Sequence, residues 1–156
     1  MAGDVLVRDV MSTTLFSLGP DTKVEEAADV LADHRVSAVP VVDADGTLVG
    51  MLRDDDLIAS EARVHVPTVI NFLGLGVPFP GEMKHLEAEL KKIAGAAVKD
   101  VMDGSPPSAR GDQTVEDIAT LMHDHGINSV PVVDDANKVI GVVARGDIVR
   151  LIARTT

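Results

Sequence analysis

Residues Val7 to Ile58 read VRDVMSTTLFSLGPDTKVEEAADVLADHRVSAVPVVDADGTLVGMLRDDDLI, and residues Val98 to Val149 read VKDVMDGSPPSARGDQTVEDIATLMHDHGINSVPVVDDANKVIGVVARGDIV. The two stretches align without a gap. Val7-Arg8-Asp9-Val10-Met11 falls on Val98-Lys99-Asp100-Val101-Met102, and Val39-Pro40-Val41-Val42-Asp43 on Val130-Pro131-Val132-Val133-Asp134. Asp33-His34 falls on Asp124-His125, Gly50 on Gly141 and Asp56 on Asp147. Roughly a third of the aligned positions are identical, which an ungapped match of this length does not reach by chance, so the chain is an internal duplication.

Each copy has the same order of elements. A short V-x-D-V-M start leads into an extended stretch. Thr22-Lys23-Val24-Glu25 then has the T-x-x-E form of a capping box. Val24, Ala27, Ala28 and Leu31 make one apolar helix face, repeated by Val115, Ile118, Ala119 and Met122. Ala38 to Val42 and Thr47 to Leu52 are short Val-rich runs joined by Asp43-Ala44-Asp45-Gly46, the pattern of a hairpin. Ser129 to Val133 and Val139 to Val143 repeat it, and a second helix starts near Asp54 and near Arg145. Each unit therefore reads β-α-β-β-α.

Composition narrows the function classes. With 156 residues, two units of this size are expected to share one core, because each alone buries too little surface. Hydrophobic residues make up 46% and aromatic residues only 2%, so the core is built of aliphatic side chains and Met. A formal charge of −11 and so few aromatics give no footprint for nucleic acid. The lack of Cys excludes disulfides and thiolate metal sites and fits the cytoplasm. Met1-Ala2-Gly3-Asp4 is unlike a signal peptide. Val66 to Pro80 is apolar but holds three prolines and is shorter than the ~18–20 residues that span a bilayer, so no membrane segment is expected. The connecting segment is too long for a plain linker. Its Met83, Leu86, Leu90 and Ile93 mark an amphipathic helix that packs on its own domain or on a second subunit.

The order V-x-D-V-M, helix, S-x-V-P-V-V-D, hairpin, G-x-x-x-x-x-D, helix resembles the CBS domain, and two in tandem resemble a CBS domain pair. On that basis residues 1–60 are the first domain, 61–97 an apolar and helical insertion, and 98–156 the second. The resemblance implies an α/β (α+β) fold in which two β-α-β-β-α units pack sheet to sheet about a pseudo-twofold axis, leaving two clefts. It also implies a regulatory module, not an enzyme. Such a module needs no cofactor and binds an adenosine-containing ligand (AMP, ADP, ATP, S-adenosylmethionine or NAD). It forms a homodimer and signals to a separate partner protein.

The family's ribose and phosphate motif is G-h-h-[S/T]-x-x-[D/N]. The first copy supplies Gly50-Met51-Leu52-Arg53-Asp54-Asp55-Asp56, and the second Gly141-Val142-Val143-Ala144-Arg145-Gly146-Asp147. The closing carboxylate suits two ribose hydroxyls, and the helix start that follows suits phosphate. Arg53 and Ala144 stand where the family has Ser or Thr. Arg53 can meet phosphate by its guanidinium, but three aspartates follow it, whereas Arg145 and Gly146 are kinder to an anion. The cleft around Asp147 is therefore favoured over that around Asp56. Helix capping is the plain alternative role for both aspartates, and it is compatible with binding. By resemblance, the adenine walls are Val36, Ser37, Ala38 and Pro40 with Ser12 to Leu15, which includes Thr13 and Thr14. In the second copy they are Ile127, Asn128, Ser129 and Pro131 with Asp103 to Pro106.

Other constellations are weaker. Asp54, Asp55 and Asp56 point about 100° apart on a helix and do not converge on a cation. The histidines lack zinc spacing, and Gly74-Leu75-Gly76 lacks the context of a dinucleotide fingerprint. The rival to a ligand sensor is a dimeric interaction module whose nucleotide sites are vestigial, favoured by the two lost hydroxyl positions and the apolar insertion.

Overall fold

The computed structural model describes residues 4–60 and 96–155. The first copy comprises the single turn α1 (Val7–Val10), α2 (Val24–His34), β1 (Ala38–Val42), β2 (Leu48–Arg53) and α3 (residues 54–60). The second comprises α4 (Val98–Val101), β3 (Ala109–Arg110), α5 (Val115–His125), β4 (Ser129–Val133), β5 (Val139–Ala144) and α6 (Arg145–Thr155). The hairpin strands and the longer helices stand within a residue or two of their sequence positions, and the first strand of the β-α-β-β-α pattern forms in the second copy, as β3. The amphipathic helix expected over Met83 to Ile93, and the apolar run before it, lie outside the described residues.

The two hairpins are built alike. β1 pairs antiparallel with β2 and β4 with β5, each with a register shift near its end, at Val41/Val42 and Val132/Val133. The turn is held by an aspartate. Asp43 Oδ1 accepts from the backbone N–H of Asp45 and Thr47, and Asp134 Oδ1 from those of Ala136 and Lys138. β3 adds in parallel to β4. In the first copy that strand shrinks to one bridge, Leu18 to Val41, because Gly19-Pro20 follows and proline has no N–H to donate.

The capping box expected at Thr22 does not form. The N-cap of α2 is Lys23, which has no acceptor in its side chain, and Thr22 Oγ1 accepts from Gly19 N at 3.2 Å instead. The motif stands in the second copy, where Thr114 Oγ1 accepts from Asp117 N and Asp117 Oδ2 accepts from Thr114 N, each at 3.2 Å.

The V-x-D-V-M turns cross over. Val7 is fully buried in the core of Ile118, Val130, Val132 and Val143, with Met11 packed beside it. Val98 is fully buried against Leu31, Val39, Val41 and Leu52, with Val101 and Met102 beside it. Each copy thus completes the core of the other. Gly50 and Gly141 make this possible, since a Cβ at Gly50 would strike Met102 and one at Gly141 would strike Met11. The swap explains why the starting motif recurs: its apolar residues fill a hole in the opposite unit.

The bridges between copies define the symmetry. Ser12 pairs with Val142, and the equivalent residues Asp103 and Met51 pair in turn. Leu6 pairs with Thr114, and equivalently Ala97 with Lys23. Thr47 pairs with its own counterpart Lys138, so the pseudo-twofold axis passes between them. Flanking bonds obey the same exchange, from Leu48 N to Asn137 O at 2.9 Å and from Val139 N to Gly46 O at 3.2 Å. A surface ion pair, Lys99 Nζ to Asp21 Oδ1 at 2.9 Å, also joins the copies and raises the Lys99 pKa through that hydrogen bond. It is exposed and adds little to stability. Among the described residues no helix is long and apolar enough to cross a membrane.

Candidate functional site

The symmetry places the end of each hairpin beside the other copy. β5 ends at Ala144 and α6 begins at Arg145, so Asp147 sits in the first turn of α6. From there its Oδ2 reaches back to accept from Ala144 N at 2.8 Å, and its Oδ1 accepts from Arg150 Nη2. Asp56 does the same in the first copy, accepting from Arg53 N at 2.9 Å. Both aspartates therefore cap helices. A carboxylate oxygen has two lone pairs, so capping leaves Asp147 able to accept more.

Asp147 also faces a cavity of about 360 Å³ between the copies. Ser129, Val142 and Ala144 of the second copy line it. The first copy contributes Val36, Ser37, Ala38, Val39 and Pro40, together with Ser12, Thr14 and Phe16. Arg35 and Arg150 also line it, Arg150 as the ion-pair partner of Asp147. Val36, Ser37, Ala38, Pro40 and Thr14, expected as adenine walls, thus line the same cavity as Asp147 of the opposite copy. Thr13 is exposed and does not line the cavity.

The remaining candidates fall elsewhere. Ile127, Asn128 and Arg145 border a separate groove with His123 and Val149, on the face between α5 and α6. Pro131 is fully buried in β4. Arg53 is turned to Asp103, with Nη1 3.4 Å from Oδ2, and Asp56 stands beside it as the cap of its backbone. Asp54 Oδ1 accepts from Asp55 N. Among the described residues no group of acidic or histidine side chains could hold a metal ion.

Two polar features mark the cavity as more than a packing gap. Ser129 is 4% exposed, and its Oγ has no hydrogen-bond partner among the described residues. A buried hydroxyl left unpaired is costly, and this one belongs to a residue that lines the cavity. The carboxylate of Asp147, 13% exposed, stands at the same cavity.

Sequence reasoning missed Phe16, Arg35, Val39 and Arg150. Phe16 stacks on His34 with ring centroids 3.6 Å apart. It is one of three phenylalanines and has Pro107 as its counterpart, so the repeat conceals it. Arg35 carries a clearer signal. It caps α2 in the left-handed conformation at φ 53°, where the second copy has Gly126 at φ 62°. An arginine in place of the residue the geometry prefers points to a role for its charge.

The CBS domain family matches residues 7–63 and again residues 98–154. CBSX2, a chloroplastic CBS domain-containing protein of Arabidopsis thaliana, is 31% identical over 95% of this chain, which covers 63% of that protein. An uncharacterized Methanocaldococcus jannaschii protein, MJ1426, is 26% identical over 93% of this chain and 89% of its own length. Among solved structures, CBSX2 in complex with AMP superposes with a TM-score of 0.76 at 29% identity, covering 97% of this chain and 98% of that one. The CBS domain pair of MJ0100 in complex with 5′-methylthioadenosine and S-adenosylmethionine superposes with a TM-score of 0.74 at 25% identity, over the same shares. The chain belongs to the CBS domain family, with two copies of the domain in tandem.

Proposed function

We propose that this chain is a regulatory module that binds an adenosine-containing ligand in the cavity around Asp147. The observation that carries the reading is the composite wall. Apolar residues of one copy face a carboxylate and an unpaired buried hydroxyl of the other. Val36, Ala38 and Pro40 suit the flat faces of a base, whose edge the neighbouring backbone reads. Asp147 suits the ribose hydroxyls, which form charge-assisted bonds to it. Arg35 and Arg150 suit phosphate, in place of the hydroxyl lost at Ala144. The AMP and S-adenosylmethionine complexes of the similar pairs support this class of ligand.

The same geometry supports a signalling role. A ligand that touches both copies binds one packing of them better than another, and so shifts the population toward it. A separate protein then reads that packing. A homodimer is supported by the exposed apolar residues Ile58, Val149 and Ile152, since Ile58 and Val149 are equivalent positions of α3 and α6. A water-exposed apolar pair repeated by symmetry is a ready subunit contact. We place the module in the cytoplasm and assign it no catalytic step.

Titration calorimetry and thermal melting with AMP, ATP, NAD, 5′-methylthioadenosine and S-adenosylmethionine test the ligand. At a hundredfold excess over Kd, a ligand specific for the folded state adds about 2.7 kcal/mol and raises Tm by several degrees. No heat and no shift with any of them would leave the vestigial interaction module as the better reading. Arg35→Gly separates charge from shape. It relieves the left-handed arginine, so Tm is expected to rise, by the equivalent of about 1 kcal/mol. It is also expected to weaken AMP while leaving 5′-methylthioadenosine, which has no phosphate, nearly unchanged.

A further inference from the structure

The pseudo-twofold axis generates a second cleft, and its side chains differ from those of the first. At the cavity around Asp147, two facing positions hold the small residues Ser12 and Ala144. The equivalent positions of the second cleft hold Asp103 and Arg53. Backbone spacing is the same on both sides. Ser12 N bonds Val142 O at 2.9 Å and receives the return bond at 3.0 Å, while Asp103 N bonds Met51 O at 3.0 Å with a return bond of 2.9 Å. Side chains at these positions therefore project alike. Where Ser12 and Ala144 leave space, Arg53 and Asp103 meet across the copies in an ion pair of 3.4 Å.

We infer that the Arg53–Asp103 pair seals the second cleft, so that each chain takes one adenosine ligand, at Asp147. This rests on the ligand reading proposed above for the first cleft. Arg53 is 15% exposed along its side chain, so it lies within the fold and not over its surface. Its Nε and Nη2 are buried and have no acceptor among the described residues. A guanidinium held this way carries an uncompensated desolvation cost, which packing alone does not require. The furnishings of the first cleft are absent as well. Phe16, Arg35 and Arg150 have the counterparts Pro107, Gly126 and Ala59. Because the pair is itself costly, replacing both members by the small residues of the first cleft is expected to leave the fold intact.

The test counts ligands on the full chain by equilibrium dialysis and calorimetry, with AMP and 5′-methylthioadenosine as probes. The wild type is expected to bind one of either probe per chain, and Arg53→Ala with Asp103→Ser a second 5′-methylthioadenosine, which needs no phosphate arginine. The converse variant, Ser12→Asp with Ala144→Arg, is expected to bind none while melting cooperatively. Two ligands on the wild type, or an unchanged count of one on Arg53→Ala/Asp103→Ser, would overturn the seal and leave the ligand reading standing. No ligand on the wild type but one on Arg53→Ala/Asp103→Ser would support the seal and remove the reading of the Asp147 cavity. No binding to either would overturn both.

Discussion

Val7→Asp is expected to destabilise the protein by more than about 3 kcal/mol, with the damage centred on the second copy although Val7 lies in the first. Val7 is fully buried among Ile118, Val130, Val132 and Val143. A carboxylate there has no partner in an aliphatic core, so it is either left charged at great cost or protonated at a smaller one. The backbone of the turn adds to the effect. Val7 N donates to Gln113 O at 2.8 Å, and Val115 N donates to Val5 O at 2.9 Å, so displacing α1 also loosens the start of α5. Hydrogen exchange should show protection lost first in α5, β4 and β5, ahead of α2 and β1. A matched surface change, Glu26→Ala on the exposed side of α2, is expected to stay within about 0.5 kcal/mol of the wild type. Loss of protection confined to the first copy would contradict the exchange of turns between the units.

Asp147→Ala is expected to weaken AMP on the order of a hundredfold, about 3 kcal/mol, while Asp56→Ala leaves the affinity unchanged. Asp56 is the right control because the two carboxylates share one structural duty. Each accepts the backbone N–H three residues before it, at 2.9 Å for Asp56 and 2.8 Å for Asp147. Removing either cap costs about 1 kcal/mol of stability. Only Asp147 lines the cavity, so a difference in AMP affinity beyond that common loss reports the ligand and not the helix. Equal loss in both variants would reduce Asp147 to a cap.

The duplication and its elements were legible because they depend on short-range chemistry. Apolar spacing on α2 and α5, the Val-rich hairpins and the turn aspartates act within a few residues of themselves. The V-x-D-V-M motif was visible as a repeat, but its job was not. Nothing in Val7 or Met11 says that the core they fill belongs to the other copy. The same limit applied to the site. The walls Val36 to Pro40 and the carboxylate of Asp147 lie in different repeats, and only the pseudo-twofold axis at Thr47 and Lys138 brings them together. Arg53 illustrates the point from the other side. Sequence position suggested a phosphate contact, whereas the structure turns it to Asp103, a residue that sequence reading assigned to an adenine wall. The capping box failed for a local reason, a lysine at the N-cap position, and its true form was one residue along in the second copy.

The most direct test of a site shared between the copies is a crystal structure of the full chain with AMP. One adenine per chain is expected between Val36 and Pro40, with ribose hydroxyls on Asp147 and phosphate toward Arg35 or Arg150. An adenine beside Ile127 to Ser129 with its ribose on Asp56, or a cavity at Asp147 empty of nucleotide at saturating AMP, would contradict it.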